Sequence, residues 1–126
     1  MTLAVFLTLA GIGGTAAAGP HEDAASAYGR GDYASALRLY RSLAERGDAY
    51  AQNYLGIMYQ AGQGVPLDYV QAYKWFMLAR YNLAAQFPVS DKDRNIILRN
   101  REVVAEKMTP EQIAEAQKLA REWRPR

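Results

Sequence analysis

The chain has 126 residues, enough for one small domain, and hydrophobic residues make up 50% of it, which is ample for a folded core. Its 15 basic and 13 acidic residues give a formal net charge of +2, too balanced for a nucleic-acid-binding arm or an acidic tail. Cysteine is absent and histidine occurs once, at His21, which excludes disulfides, thiolate chemistry and most zinc sites. These totals predict no metal site and no nucleic-acid partner, and we assign no catalytic residue and no cofactor from them.

The first 18 residues carry no charge, and an apolar run passes into small residues. Ala16 and Ala18 supply the small side chains that signal peptidase recognises at its cleavage site. We therefore interpret residues 1–18 as a signal peptide of a periplasmic or secreted protein. It is atypical because no basic residue precedes the apolar run. The alternative is an uncleaved membrane anchor, although the apolar part is short for a span of roughly 20 residues. The mature chain, with no stable membrane span, is expected to begin near Gly19 and to leave His21 mobile.

Turn and cap residues divide the next part of the chain into helices. The first is predicted from about Glu22 to Tyr28, and the glycines of Gly29-Arg30-Gly31 end it. Asp32 caps the second helix and Gly47 ends it. The second helix carries apolar side chains at helical spacing on one face, namely Tyr33, Ala36, Leu37, Tyr40, Leu43 and Ala44.

The third helix is predicted to start at Asp48 and to stack Ala51, Leu55 and Tyr59 at four-residue spacing. Gly62 and Gly64 then allow backbone conformations that larger residues resist. The fourth helix begins at a capping box of Asp68 and Gln71. Its apolar face consists of Tyr69, Ala72, Phe76, Ala79 and Leu83.

Two segments of this region repeat each other. DYASALRLY begins at Asp32 and DYVQAYKWF begins at Asp68, and the two align at a shift of 36 residues (68 − 32). A shift of that size is typical of stacked helical hairpins. The triplet Arg-Gly-Asp also occurs twice, at 30–32 and 46–48. We interpret it as a glycine turn followed by an aspartate cap rather than as a cell-adhesion signal.

The second hairpin resembles the Sel1-like repeat, a relative of the tetratricopeptide repeat, at Leu55-Gly56, Met58-Tyr59, Gly62, Gly64-Val65, Asp68, Ala72, Trp75 and Ala79. The unit before it resembles a degenerate Sel1 unit with a shorter turn. The resemblance covers roughly residues 22–85 and places repeats at about 22–47 and 48–85. It implies an all-α fold, an α-solenoid of antiparallel helical hairpins within a domain of residues 19–126.

Two further helices are predicted to cap the C-terminal end of the solenoid, over about residues 90–123, as an open solenoid requires. Ser90 with Asp93 starts the first of them, and its apolar residues are Ile96, Ile97, Val103, Val104 and Met108. Thr109-Pro110 starts the second, whose apolar stripe is Ile113, Ala116, Leu119, Ala120 and Trp123. The tail is similar to the segment that often closes small secreted bacterial members of the family. Arg124-Pro125-Arg126 is expected to fray.

The resemblance implies a non-catalytic adapter or scaffold that binds a protein or peptide in a concave groove lined by the first helix of each hairpin. On the third helix, the outward candidates for partner contact share one face: Tyr50, Asn53, Ile57 and Gln60. We expect Asn53 and Gln60 to contact a partner and to contribute little to folding. The alternative for these four residues is ordinary surface, or cover by the C-terminal helices.

Two other functions remain open. Some secreted Sel1-like proteins are linked to β-lactam binding or hydrolysis, but those members are cysteine-rich and this chain has no cysteine. A small self-associating structural protein is the other alternative, because two repeats offer little concave surface. Asp91 and Asp93, an acidic pair, are interpreted as favourable charges in the first turn of a helix rather than as a metal site.

Overall fold

The computed structural model describes residues 19–86 and 88–126, and this part of the chain is all helical, with six α-helices and no strand. The predicted signal peptide, residues 1–18, lies outside the described residues. The helices are α1 (Pro20–Gly29), α2 (Tyr33–Glu45), α3 (Ala49–Ala61), α4 (Tyr69–Gln86), α5 (Asp91–Ala105) and α6 (Pro110–Glu122).

The predicted helix starts are confirmed. At the start of α2 to α6 a side-chain oxygen accepts a hydrogen bond from the backbone N–H three residues later, as in N-caps generally; the capping residues are Asp32, Asp48, Asp68, Ser90 and Thr109. Only α1 begins earlier than expected, at Pro20 instead of Glu22. There the Gly19 N–H donates to Glu22 Oε1 at 2.9 Å, and proline is well suited to the first helical turn.

The helices stack in chain order. α1 packs on α2, α2 on α3, and α3 on α4, while both α5 and α6 pack on α4. The largest buried cluster joins the first four helices, with Ala24, Leu37, Tyr40, Leu55, Met58 and Trp75 among its members. A second cluster joins α4 to α5 and α6 through Phe76, Val104 and Ala116. The arrangement is the expected α-solenoid closed by C-terminal helices.

Both Arg-Gly-Asp triplets form the turns that the sequence predicts. Gly31 and Gly47 have φ angles of 80° and 101°, in the left-handed region that favours glycine. The aspartate after each glycine caps the next helix, Asp32 for α2 and Asp48 for α3. The triplets therefore have a structural role at the two helix junctions.

Helix α5 buries only half of its predicted apolar stripe. Ile97 and Val104 are buried, whereas Ile96 and Val103 are 45% and 39% exposed. α5 packs on α4 along one side, and no helix of the described chain covers the side that carries Ile96 and Val103. Helical spacing alone did not say which of these residues would be buried.

The expected fraying of the C-terminus is also wrong. The Arg126 N–H donates to the Glu45 carbonyl at 2.7 Å, which ties the last residue to the end of α2. The Trp123 ring packs edge-on against Trp75, with ring centroids 6.3 Å apart. The tail thus docks on the end of the first hairpin, while α6 packs on α4.

Replacing Gly64 with valine is expected to lower the free energy of unfolding by roughly 1–3 kcal/mol, the scale of backbone strain. Gly64 has a φ of 77°, and a Cβ at this position would lie 2.9 Å from the Tyr33 carbonyl oxygen. Thermal unfolding of the purified protein measures the loss. Gly29→Ala is the matched control, because Gly29 lacks the positive φ and a Cβ added there would meet open space. An equal loss in both variants would contradict the tight turn at Gly64.

Candidate functional site

The predicted partner-binding face of α3 lies beside α5. Asn53 is only 9% exposed, and its Oδ1 accepts a hydrogen bond from Asn100 Nδ2 on α5 at 3.0 Å. The Tyr50 hydroxyl donates to Asp93 Oδ2, also on α5, at 3.2 Å. α5 therefore runs along one side of this face, and Asn53 is buried rather than outward-facing as the sequence predicted.

The other two predicted residues differ from each other in their surroundings. Ile57 is half-buried and packs against the cluster that contains Phe76 and Val104. Gln60 is half-buried too, and its side chain makes no hydrogen bond within residues 19–86 and 88–126. The four predicted residues thus differ in exposure and in hydrogen bonding, and their role in partner binding stays a prediction.

An apolar surface remains open next to these contacts. On α3, Tyr50 and Tyr54 are 39% and 37% exposed. On α5, Ile96 lies three residues after Asp93, and Val103 lies three residues after Asn100. Both side chains are exposed, and this spacing places them on one side of α5, next to the side that faces α3. We call Tyr50, Tyr54, Ile96 and Val103 the α3–α5 surface. The sequence missed it because helical spacing does not show which apolar residues of α5 a neighbouring helix covers.

Aromatic packing holds the α3 side of this surface in place. The Tyr54 ring stacks on Tyr40 with centroids 4.8 Å apart, and its edge meets Tyr28 at 5.9 Å. Burial raises the pKa of Tyr40 to about 12. The Tyr28 hydroxyl donates to Gln63 Oε1 at 2.8 Å, which ties α1 to the turn after α3. The Tyr54 ring is therefore presented on a rigid support.

The ionisable groups that the sequence singled out have structural partners. His21, expected to be mobile, contacts Asp48 with Nε2 and Oδ2 2.9 Å apart, which joins α1 to the start of α3. Asp91 pairs with Arg94 at 2.7 Å, and Asp93 accepts from Tyr50. In the part of the chain that the structure describes, no group of three or more potential metal ligands comes together.

Burial affects one further charged group. The ammonium of Lys74 lies 4.2 Å from the centroid of the Trp75 ring, and burial lowers the pKa of Lys74. The contact places the lysine stem along the aromatic core of α4.

No helix within residues 19–86 and 88–126 is both long and apolar enough to cross a membrane.

Stacked helical hairpins with a closed C-terminal end define an α-helical repeat protein of the solenoid class. The Sel1 repeat family model matches residues 24–48 and 49–82, where the sequence places repeats at about 22–47 and 48–85. The chain is a Sel1-like repeat protein. Sel1 repeats are generally protein-interaction modules, and their helical fold is typically a non-catalytic scaffold. Comparison with curated proteins and with solved structures gave no significant match.

Asn53→Ala is expected to lower the free energy of unfolding by roughly 1–3 kcal/mol, because it removes a partly buried hydrogen bond and leaves the Asn100 amide without its partner. Gln60→Ala, the matched control on the same helix, is expected to change it by less than about 0.5 kcal/mol. Chemical denaturation measures both. If the two variants are equally stable, the amide pair does not hold α5 against α3.

Proposed function

We propose that this protein is a non-catalytic adapter or scaffold that binds a protein or peptide partner through the α3–α5 surface. The observation that carries the proposal is the exposure of four large apolar side chains on two neighbouring helices. Their exposed fractions lie between 37% and 45%, and an apolar patch built from adjacent elements is typical of an interaction site. The proposal agrees with the general role of Sel1 repeats as protein-interaction modules.

The chemistry of the surface favours a partner that contributes an apolar face. Tyrosine rings supply large contact areas and lose little side-chain entropy on binding, and the rings of Tyr50 and Tyr54 sit on one turn of α3. Ile96 and Val103 form a parallel aliphatic ridge one helix away. An amphipathic helix laid along such a surface buries its apolar side chains between the two rows.

In this proposal, polar groups at the edge of the α3–α5 surface orient the bound partner. The side-chain amide of Gln60 is available to pair with the partner's backbone, since it makes no hydrogen bond within the described chain. In this proposal Asn53 acts indirectly, by holding α5 through Asn100. We further propose that binding takes place in the periplasm or outside the cell, because residues 1–18 have the composition of a signal peptide.

Replacing Ile96 and Val103 together with serine is expected to weaken partner binding by roughly ten-fold or more, equivalent to about 1.4 kcal/mol. Both side chains are exposed, so the thermal unfolding temperature is expected to change little. The partner is first captured from a periplasmic fraction with the wild-type protein, and its affinity for each variant is then measured by calorimetry.

The matched control is Leu67→Ser, which changes an apolar residue that is 52% exposed but lies outside the α3–α5 surface. Unchanged binding by the double variant would overturn the proposal. Light scattering adds a second test. If the wild-type protein dimerises and the double variant is monomeric, the surface joins two copies of this chain and the self-associating structural protein is the better description.

A further inference from the structure

A cleft of different chemistry lies where the C-terminal tail folds back on α4. Its volume is about 680 Å³, and α4, α5, α6 and the tail all contribute to its walls. Four of the 15 basic residues of the chain line it. We call the following residues the arginine cleft: Arg80, Tyr81, Arg101, Arg121, Trp123 and Arg124.

The positive charge of the arginine cleft is not neutralised by the protein itself. No aspartate or glutamate is among the described residues that line it. The ion pairs of the described chain involve His21, Arg30 and Arg94, all outside these walls. The guanidinium groups of Arg80, Arg101 and Arg121 make no hydrogen bond within residues 19–86 and 88–126. Like charges gathered around one recess attract an anion.

Arg124 differs from the other three because it supports the wall. Its Nη1 donates to the carbonyl oxygens of Arg121 at 3.0 Å and Trp123 at 2.7 Å, at the end of α6. The backbone bond from Arg126 to Glu45 anchors the tail from the other side. The tail is thereby fixed against α4 and α2, and the cleft is a formed recess.

The cleft also offers apolar contacts between its charges. The buried Leu78 belongs to its lining, and Trp123 is half-buried with its ring held against Trp75. Tyr81, at 76% exposed, projects a large aromatic ring from α4. A ligand that fits this recess needs carboxylates for the guanidinium groups and an apolar side chain between them.

We propose that the arginine cleft binds an acidic peptide segment of a protein partner, in which aspartate or glutamate side chains flank an aromatic or aliphatic residue. Guanidinium groups bind carboxylates through paired, charge-assisted hydrogen bonds, and a planar guanidinium suits this better than an ammonium does. A recess of this shape accepts a side chain of a peptide more readily than the flat surface of a bilayer. The proposal is independent of the α3–α5 surface, with which the cleft shares no residue.

The probe is a fluorescein-labelled synthetic peptide with glutamates on both sides of one phenylalanine, and its partner peptide carries glutamine in place of each glutamate. Fluorescence anisotropy measures binding to the purified full chain. We expect the glutamate peptide to bind and the glutamine peptide to bind at least roughly ten-fold more weakly. Added salt is expected to weaken binding of the glutamate peptide, since the arginine charges are partly exposed and are screened by ions.

The test variant is Arg101→Gln. Its affinity for the glutamate peptide is expected to be roughly ten-fold lower than that of the wild type, a difference of about 1.4 kcal/mol. Arg99→Gln is the control, because it removes the same charge from the same helix at an exposed position outside the cleft. Arg101→Lys keeps the charge but loses the paired geometry, so an intermediate affinity is expected. Thermal unfolding confirms that each variant folds, and Ile96→Ser, on the α3–α5 surface, is expected to bind the peptide normally.

Three results would overturn the proposal. Equal losses in Arg101→Gln and Arg99→Gln would mean that overall charge, not the cleft, attracts the peptide. Equal binding of the glutamate and glutamine peptides would mean that carboxylates are not recognised. Binding to phosphatidylglycerol vesicles that depends on Arg101, with no binding of the peptide, would assign the arginines to a membrane surface.

Discussion

Replacing Phe76 with alanine is expected to lower the free energy of unfolding by about 3–5 kcal/mol, the range for deleting a buried aromatic side chain. Phe76 is fully buried and lies in the cluster that joins α4 to α5 and α6. Its ring also occupies the space above Gly56 on α3, where a Cβ would lie 2.6 Å from Cε1 of the ring. Deleting the ring therefore opens a cavity between three helices. Denaturant unfolding followed by circular dichroism measures the loss.

The contact with Gly56 allows a sharper test. Gly56→Val alone is expected to cost about 1–3 kcal/mol, because the ring has to move to admit the new side chain. In the double variant Gly56→Val with Phe76→Ala, valine fills part of the vacated space. The combined loss is expected to be smaller than the sum of the two single losses by about 1 kcal/mol or more.

Additive losses in the double variant would contradict the close approach of α3 and α4 at this point. The matched control for the single deletion is Tyr81→Ala, which removes an aromatic ring from the same helix at a position that is 76% exposed. Its effect on unfolding is expected to stay within about 0.5 kcal/mol.

Leu55→Ala is expected to lower the free energy of unfolding by about 2–5 kcal/mol. Leu55 is fully buried in the cluster that joins the first four helices, so its side chain packs where the two hairpins meet. The loss combines the transfer of the deleted atoms to water with the cavity that remains. Thermal and denaturant unfolding are expected to report the same loss if the hairpins unfold together.

The control for Leu55 deletes the same atoms from a surface position. Leu67 is 52% exposed, and Leu67→Ala is expected to cost less than about 1 kcal/mol. A small loss at Leu55, similar to that at Leu67, would mean that the two hairpins do not share one core. A biphasic transition in the Leu55 variant would mean instead that the first hairpin unfolds separately.

The sequence alone determined where α2 to α6 start and where glycines end the first three helices. Each N-cap acts over three residues, as at Asp48, whose side chain accepts from the Ala51 N–H at 2.8 Å. The left-handed glycines are equally local, since Gly64 owes its φ of 77° to a turn within one hairpin. Such short-range interactions depend on neighbouring residues, so the sequence was enough to predict them. The Sel1 motif then identified the stacking of the second hairpin.

The tertiary structure decided what each exposed side chain meets. Asn53 and Asn100 are 47 residues apart in the chain, and no local pattern pairs them. Ile96, Ile97, Val103 and Val104 form one broad apolar stripe, and only the positions of α3 and α4 select which half is buried. Helical periodicity predicts a face but cannot say how much of it a neighbouring helix will cover.

The arginine cleft depends entirely on that long-range arrangement. Arg80, Arg101 and Arg121 come from three different helices. In the sequence, nothing near each of them distinguishes it from an ordinary solvent-exposed arginine. They come together because α6 folds back along α4 and Arg126 bonds to Glu45 at the end of α2. Charge placement in this protein therefore follows from helix packing, whereas helix placement follows from caps, glycines and the repeat.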